Sequence, residues 1–365
     1  MIADGEFGGA VLTDWLGAGC ALAASTTKAA STVAGFQAVP GTTPGNSRRS
    51  RRQYLALLAA AAKELASPVN TAPAGGIYSL IIHSNQGDSK MQSDSILVIG
   101  ATGKTGTRVA NKLEAKGHSV RRGSRNAGTP FDWEAPETWG PALAGARAAY
   151  VTYFPDLAFP GAVDKLGSLV ETAKQSGVEH VVLLSGRGEH HARLGEDVLR
   201  SSGMDFTIVR SAWFAQNFSE GYLRDPILAG TLPMPGGDVC EPIIDIDDIA
   251  DVVVAALTEE GHKGELYEVT GPRLLTFAEM AHELSVAIGK PIQHIPISFE
   301  AFHAGIARSG GDFVANVFTA IARETLDGRN AHVSDGVVRA LGRQPRDFTG
   351  FARNAAKSGV WSVAA

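Results

Sequence analysis

Gly100, Gly103 and Gly106 stand three apart in the run Ser95-Ile96-Leu97-Val98-Ile99-Gly100-Ala101-Thr102-Gly103-Lys104-Thr105-Gly106. Glycines at this interval let a chain turn tightly and bring backbone N–H groups close to a phosphate. The phosphate charge then meets the positive end of the following helix. Gly103 is the expected point of close approach, and Gly106 the point where helix packs on strand. Gly100, Thr102, Gly103, Lys104, Thr105 and Gly106 are therefore the candidate cofactor-binding residues. The spacing is GxxGxxG and not GxGxxG, so the reading rests on the apolar run before the loop and the helical pattern after it.

A second group lies about twenty residues on, where folds that prefer NAD offer an acid to the ribose hydroxyls. Here the chain reads Arg121-Arg122-Gly123-Ser124-Arg125, with no acid. Ser124 and Arg125 suit a 2′-phosphate, through a hydroxyl and a guanidinium fork. NADP, as NADPH, is the expected cofactor, with NAD as the alternative; Arg121 reads as merely exposed. Tyr153 and Phe154, at the end of a later apolar run, are expected to touch the cofactor. Trp213, Phe214 and Asn217 form an aromatic-amide segment that suits a substrate pocket wall. For catalysis the signal is thin. Ser185 ends a strand at the crevice, and His190 could supply a proton near neutral pH. A tyrosine four residues before a lysine, which would complete a serine–tyrosine–lysine set, is absent from the stretch Gly188-Glu189-His190-His191-Ala192-Arg193-Leu194. No metal site is expected: Asp245, Asp247 and Asp248 sit where they would cap a helix and meet its dipole.

The elements that must position these groups alternate. Four apolar residues, Ile96 to Ile99, read as a buried parallel strand, and Val109 and Leu113 share a helical face behind the loop. Strands are expected at 118–122, 148–154, 180–185 and 205–210, with helices near 160–176 and 189–201. That rhythm means an α/β fold with a doubly wound parallel sheet. About 91–210 is the dinucleotide-binding core and about 211–365 a smaller C-terminal substrate-binding portion. Thr276-Phe277-Ala278-Glu279 has the form of a capping box.

The chain of 365 residues carries a net charge of −5. Seven of its 33 Lys/Arg and five of its 38 Asp/Glu precede Met91, leaving −7 for the remainder. An acidic folded part argues against nucleic acid or an anionic membrane as partner. The two cysteines, Cys20 and Cys240, make no disulfide framework, so a reducing, cytoplasmic setting is the default expectation. No apolar run reaches the ~18 residues of a membrane span. Residues 1–90 lack strand–helix rhythm and are expected to be a poorly structured extension, with Met91 as the natural start of the nucleotide-binding unit.

The ordered set from Met91 resembles the NmrA-like, NAD(P)-binding branch of the atypical short-chain dehydrogenases/reductases. The matching residues are Gly100-Ala101-Thr102-Gly103-Lys104-Thr105-Gly106, Phe131-Asp132-Trp133, Val182-Leu183-Leu184-Ser185, Trp213-Phe214-Ala215-Gln216-Asn217-Phe218, Asp245-Ile246-Asp247-Asp248-Ile249-Ala250 and Thr270-Gly271-Pro272. The Gly-Lys-Thr-Gly loop with Trp-Phe and Asn-Phe is also similar to the ergot-alkaloid dehydrogenase branch. The resemblance implies a Rossmann-type fold and an NAD(P)H-dependent oxidoreductase that passes hydride to a small quinone-like or imine/iminium-like acceptor. The alternative it implies is a non-enzymatic NADP sensor that binds a protein partner; a homodimer is compatible with either.

Overall fold

The computed structural model describes residues 94–362. The expectation for residues 1–90 lies outside them. The chain folds on a seven-stranded sheet of order β3-β2-β1-β4-β5-β6-β9. The central strands are β1 (Ser95–Ile99), β2 (Val120–Ser124), β4 (Ala146–Val151), β5 (His180–Gly186) and β6 (Asp205–Ser211). β3 (Thr129–Pro130) and β9 (Glu265–Val269) form the edges, and every pairing is parallel.

β1 shows why the sheet is sandwiched. Its side chains alternate between two apolar layers, and all five residues are buried. Ile96 and Val98 pack with Val109 and Leu113 of α1 (Lys104–Ala115) and with Ile249 and Val253 of α6 (Ile246–Thr258). Leu97 and Ile99 pack on the opposite face. There they meet Leu143 of α2 (Trp139–Leu143), Leu166 of α3 (Ala162–Gln175) and Leu199 of α4 (His190–Arg200). A sheet covered on both faces needs continuous apolar strands, which is why Ile96–Ile99 and Val181–Leu184 read as unbroken runs.

Two boundaries fall away from their expected places. β2 starts two residues later than expected and runs on to Ser124, so that Ser124 is its last residue and Arg125 opens the next turn. β4 ends at Val151, which leaves Tyr153 and Phe154 on the loop beyond it.

The C-terminal portion has its own core around Leu232, Met234, Phe277, Leu284, Phe348 and Trp361. It contains α5 (Arg224–Leu228), α7 (Phe277–Ile288), α8 (Phe299–Thr325), α9 (Gly336–Leu341) and α10 (Phe348–Lys357). Two small sheets complete it, β7 (Thr231–Met234) with β11 (Gln293–Pro296) and β8 (Cys240–Glu241) with β10 (Leu275–Thr276). The cut near residue 210 is not a clean one in space, since β9 and α6 come from beyond it and pack into the main sheet unit. The capping box at α7 forms as expected, with Thr276 and Glu279 each accepting from the other's backbone.

The acids at the start of α6 are structural. Asp245 caps the Asp247 N–H at 2.9 Å. Asp248, fully buried, holds Arg343 and Arg346. These pairs tie the chain after α9 to the helix that covers β1.

Candidate active site

At the carboxyl ends of the strands the fold leaves a cleft of about 540 Å³. Such crevices are where open α/β sheets bind ligands. The glycine loop forms its floor. Gly100 adopts φ +74, and Gly103 stands at the N-cap of α1 with extended backbone and no side chain capping the helix. The first turn of α1 carries no acid. Its N–H groups therefore present uncompensated positive charge to the cleft, as an anion-binding helix start requires. Thr102, Gly103, Lys104 and Thr105 all line the cavity. Thr105 meets the cleft through its backbone, because its hydroxyl accepts from Tyr150 at 3.0 Å in the buried interior. The residues present thus fit a dinucleotide pyrophosphate.

Lys104 adds a positive side chain beside that turn. Its ammonium donates to Asn217 Oδ1 at 2.9 Å. Burial pulls its pKa from 10.5 down to about 8; Glu220 opposes the shift, and Arg108 adds to it. The cation is thus present below about pH 8 and lost above it. The dissociation constant for NADPH is expected to rise by about three- to tenfold between pH 7 and pH 9. A Lys104→Met variant should bind more weakly and show a flat profile over that range. Fluorescence titration at stepped pH measures both, and a wild-type profile as flat as the variant's contradicts this role.

At the end of β2, Ser124 keeps a buried hydroxyl with no hydrogen-bond partner among the described residues. Arg125 places its guanidinium 5.8 Å from the centre of the ring of Phe154, a cleft residue, while neither Ser124 nor Arg125 lines the cavity itself. The neighbouring arginines are engaged elsewhere. Arg122 binds Glu114 and Asn111, and Arg121 binds the backbone carbonyls of Ala144 and Pro141. Arg121 is therefore tied down rather than merely exposed. Tyr153 and Phe154 both line the cleft.

The far wall comes from the chain after β6. Trp213 donates its indole N–H to Thr325 Oγ1 at 3.2 Å, joining that wall to the end of α8. Phe214 and Asn217 line the same cavity. α8 supplies the roof. It breaks at Gly311, where φ is +77, and Phe302 and Ile306 before the break and Val314, Phe318 and Ile321 after it all face the cleft. Nothing in the local pattern of α8 set these residues apart from ordinary core positions.

The two catalytic candidates are placed differently. Ser185 borders the cleft, but its hydroxyl donates to Glu196 Oε1 at 2.7 Å. Glu196 is only 2% exposed and is also gripped by Arg210. His190 is exposed at the start of α4, packs against the His191 ring and does not line the cavity. Asp156 and Glu189 are among the cleft residues that went unnoticed in the sequence. The one available signal was a glutamate standing where a helix start ordinarily takes Ser, Thr, Asp or Asn.

A family model for NAD(P)H-binding domains matches residues 100–260. An NAD(P)H azoreductase from Xenophilus azovorans is 31% identical over 286 residues, covering 71% of this chain and 96% of the relative. The chain belongs to the NmrA-like, NAD(P)H-binding atypical short-chain dehydrogenase/reductase family. Festuclavine dehydrogenase from Aspergillus fumigatus is 29% identical over 292 residues, 71% of this chain and 96% of the other. Among solved structures, the triphenylmethane reductase of Citrobacter sp. in complex with NADP(H) shares the fold. It has a TM-score of 0.58 at 23% identity, over 72% of this chain and 99% of that one. This NmrA-like protein is an NAD(P)H-dependent oxidoreductase. Among the described residues no helix is long and apolar enough to cross a membrane.

Proposed function

We propose that this NmrA-like reductase passes hydride from NADPH, in preference to NADH, to a small planar acceptor of quinone or imine/iminium type. The observation that carries the reading is a single cleft. The uncapped α1 turn lies at one end, and aromatic side chains (Phe154, Trp213, Phe302 and Phe318) line the rest. Those rings favour flat, π-bearing molecules, and a hydride donor held against such an acceptor acts through proximity and orientation. The azo and clavine chemistry in its relatives' names fits the same acceptor class. The preference for NADPH rests on the orphan Ser124 hydroxyl, the neighbouring Arg125 and the lack of an acid at the end of β2.

Titration with both cofactors, followed by NADPH consumption over a panel of quinones, azo compounds and imines, tests this. Arg125→Ala is expected to weaken NADPH binding by about tenfold or more and to leave NADH nearly unchanged. Equal losses refute the phosphate contact. Tight cofactor binding with no consumption on any acceptor would favour the sensor reading.

A further inference from the structure

Asp156 and Glu189 meet inside the cleft, between the carboxyl ends of β4 and β5. Glu189 holds the N-cap position of α4, yet its side chain caps nothing there. The His190 N–H goes to Glu324 Oε1 of α8 instead, at 3.2 Å. The Glu189 carboxyl lies against Gly186, where a Cβ would overlap it, and is near enough to the Asp156 carboxyl for each to shift the other's proton affinity. Asp156 in turn accepts from the Ala158 N–H at 2.8 Å, which fixes its orientation. Glu189 is 8% exposed, and its Oε2 is buried with no hydrogen-bond partner among the described residues. A cavity-lining side chain thus carries a polar atom that nothing in the described fold satisfies.

We propose that Asp156 and Glu189 share one proton and donate it to the acceptor's heteroatom as hydride arrives, which rests on the reductase reading above.

Two carboxyls side by side away from water resist ionising together, so the pair keeps a proton well above the usual carboxylate range at rest and regains it quickly once it is given up. Burial is the main cause for each. For Glu189 the negative charges of Asp156 and Glu324 add to it. The charged groups around the pair do not neutralise it. Arg187, on the same connection, turns its guanidinium to Glu268 and to backbone carbonyls. Arg329, beyond α8, is held by Asp327 and Glu324. His190 and His191 are exposed at the start of α4, and Lys165 of α3 binds Glu134. Geometry supports the role as well. Ser124 ends β2 and Arg125 follows it, so a dinucleotide held by these residues and the glycine loop would present its nicotinamide towards the ends of β4 and β5. The pair stands there, where Ser185 has its hydroxyl committed to Glu196.

The step balances with one hydride and one proton. The acceptor's electrophilic atom gains two electrons and a hydrogen from the dihydronicotinamide, which is oxidised. The acceptor's π pair moves to its heteroatom, and that atom forms a bond to the shared proton as the carboxyl O–H bond breaks. The pair is left as two carboxylates and is refilled from solvent. A quinone or neutral imine needs this proton; an iminium ion, already charged, does not.

The test compares wild type, E189Q and D156N with NADPH and two acceptors, a quinone and a preformed iminium ion. With the quinone, kcat is expected to fall about 100-fold in E189Q, within the range for general acid catalysis. The wild-type decline in kcat as pH rises through the pair's pKa should vanish in E189Q and move in D156N. Iminium reduction should be nearly unchanged, and NADPH affinity should match wild type in both variants, which shows that they fold. Infrared difference spectra of the cofactor-free protein should show a protonated carboxyl at pH 7 that E189Q lacks. Unaltered quinone turnover and pH profile in E189Q, or absence of that carboxyl band, overturns the proposal while leaving the reductase reading intact. A wild type that binds NADPH but reduces neither acceptor overturns both.

Discussion

Gly106→Ala is expected to abolish measurable NADPH binding and to lower the unfolding midpoint. A Cβ at this position would overlap the Gly100 carbonyl oxygen, with the carbonyl carbon only 2.7 Å away and Ala101 Cα at 3.0 Å. These are backbone atoms, so no rotamer change relieves them. The first turn of α1 would have to lift off the end of β1, and Val109 and Leu113, both fully buried, would lift with it. Overpacking a dense core costs about 1–3 kcal/mol or more, and a backbone obstruction belongs at the upper end. Displacing the uncapped N–H groups of that turn should weaken NADPH binding by about 100-fold or more, since about 1.4 kcal/mol corresponds to each factor of ten. Gly103→Ala gives the contrast. Its Cβ would sit 3.2 Å from the same oxygen, so folding should survive while the approach of the pyrophosphate is hindered. Thermal unfolding and fluorescence titration of the two variants separate these effects. Equal loss of stability in both contradicts the assignment of Gly106 to packing and Gly103 to close approach.

Arg187→Met should be the most damaging change to stability outside the loop. The Arg187 side chain is 2% exposed. It donates to Glu268 Oε1 at 2.8 Å, to the Asn330 carbonyl at 2.6 Å and to the His332 carbonyl at 2.8 Å. Those bonds fasten the chain beyond α8 to the end of β5. Methionine fills much of the volume but leaves Glu268 with Arg210 at 3.3 Å and two carbonyls without their donor. Breaking one side of a buried pair costs about 3–5 kcal/mol. Burial on its own would raise the Glu268 carboxyl; the hydrogen bonds and charges of Arg187 and Arg210 more than offset it and hold it below 4.5. A depressed carboxyl contributes stability above its unfolded pKa and loses it as pH falls through the folded value. The gap between wild type and Arg187→Met should therefore be wide at pH 7 and narrow at a pH below the ordinary carboxylate range. Urea unfolding at the two pH values measures it, and a gap that does not change with pH removes the ion pair from the explanation.

Much of the sheet was legible because its cause is local. A strand buried on both faces must be apolar throughout, and Ile96–Ile99 and Val181–Leu184 are. The glycine loop was legible for the same reason, since strand, tight turn and helix start are contiguous in the chain. What escaped depends on partners far apart in sequence. Asn217 was read as pocket wall; its side chain meets Lys104, 113 positions earlier. Ser185 read as a strand-end serine, and no spacing rule reveals that Glu196 on α4 accepts a hydrogen bond from its hydroxyl. β9 joins the sheet from beyond residue 210 because β6 offers it a free edge, which only the assembled sheet creates. Asp156 and Glu189 are 33 positions apart, and each alone looks like an ordinary loop or helix-start acid. Their meaning comes from the closeness of the β4 and β5 ends.

Stereospecific deuteride transfer tests the central claim most directly. NADPH carrying deuterium on one or the other face of C4 is incubated with the protein and an imine, whose new C–D bond does not exchange with water, and the reduced acceptor is weighed by mass spectrometry. A ring fixed by the glycine loop, with the acceptor held between Phe154, Trp213 and the α8 roof, must deliver deuterium to the product from one labelled face only. Product that carries label from neither face, or from both alike, contradicts a hydride passed within this cleft.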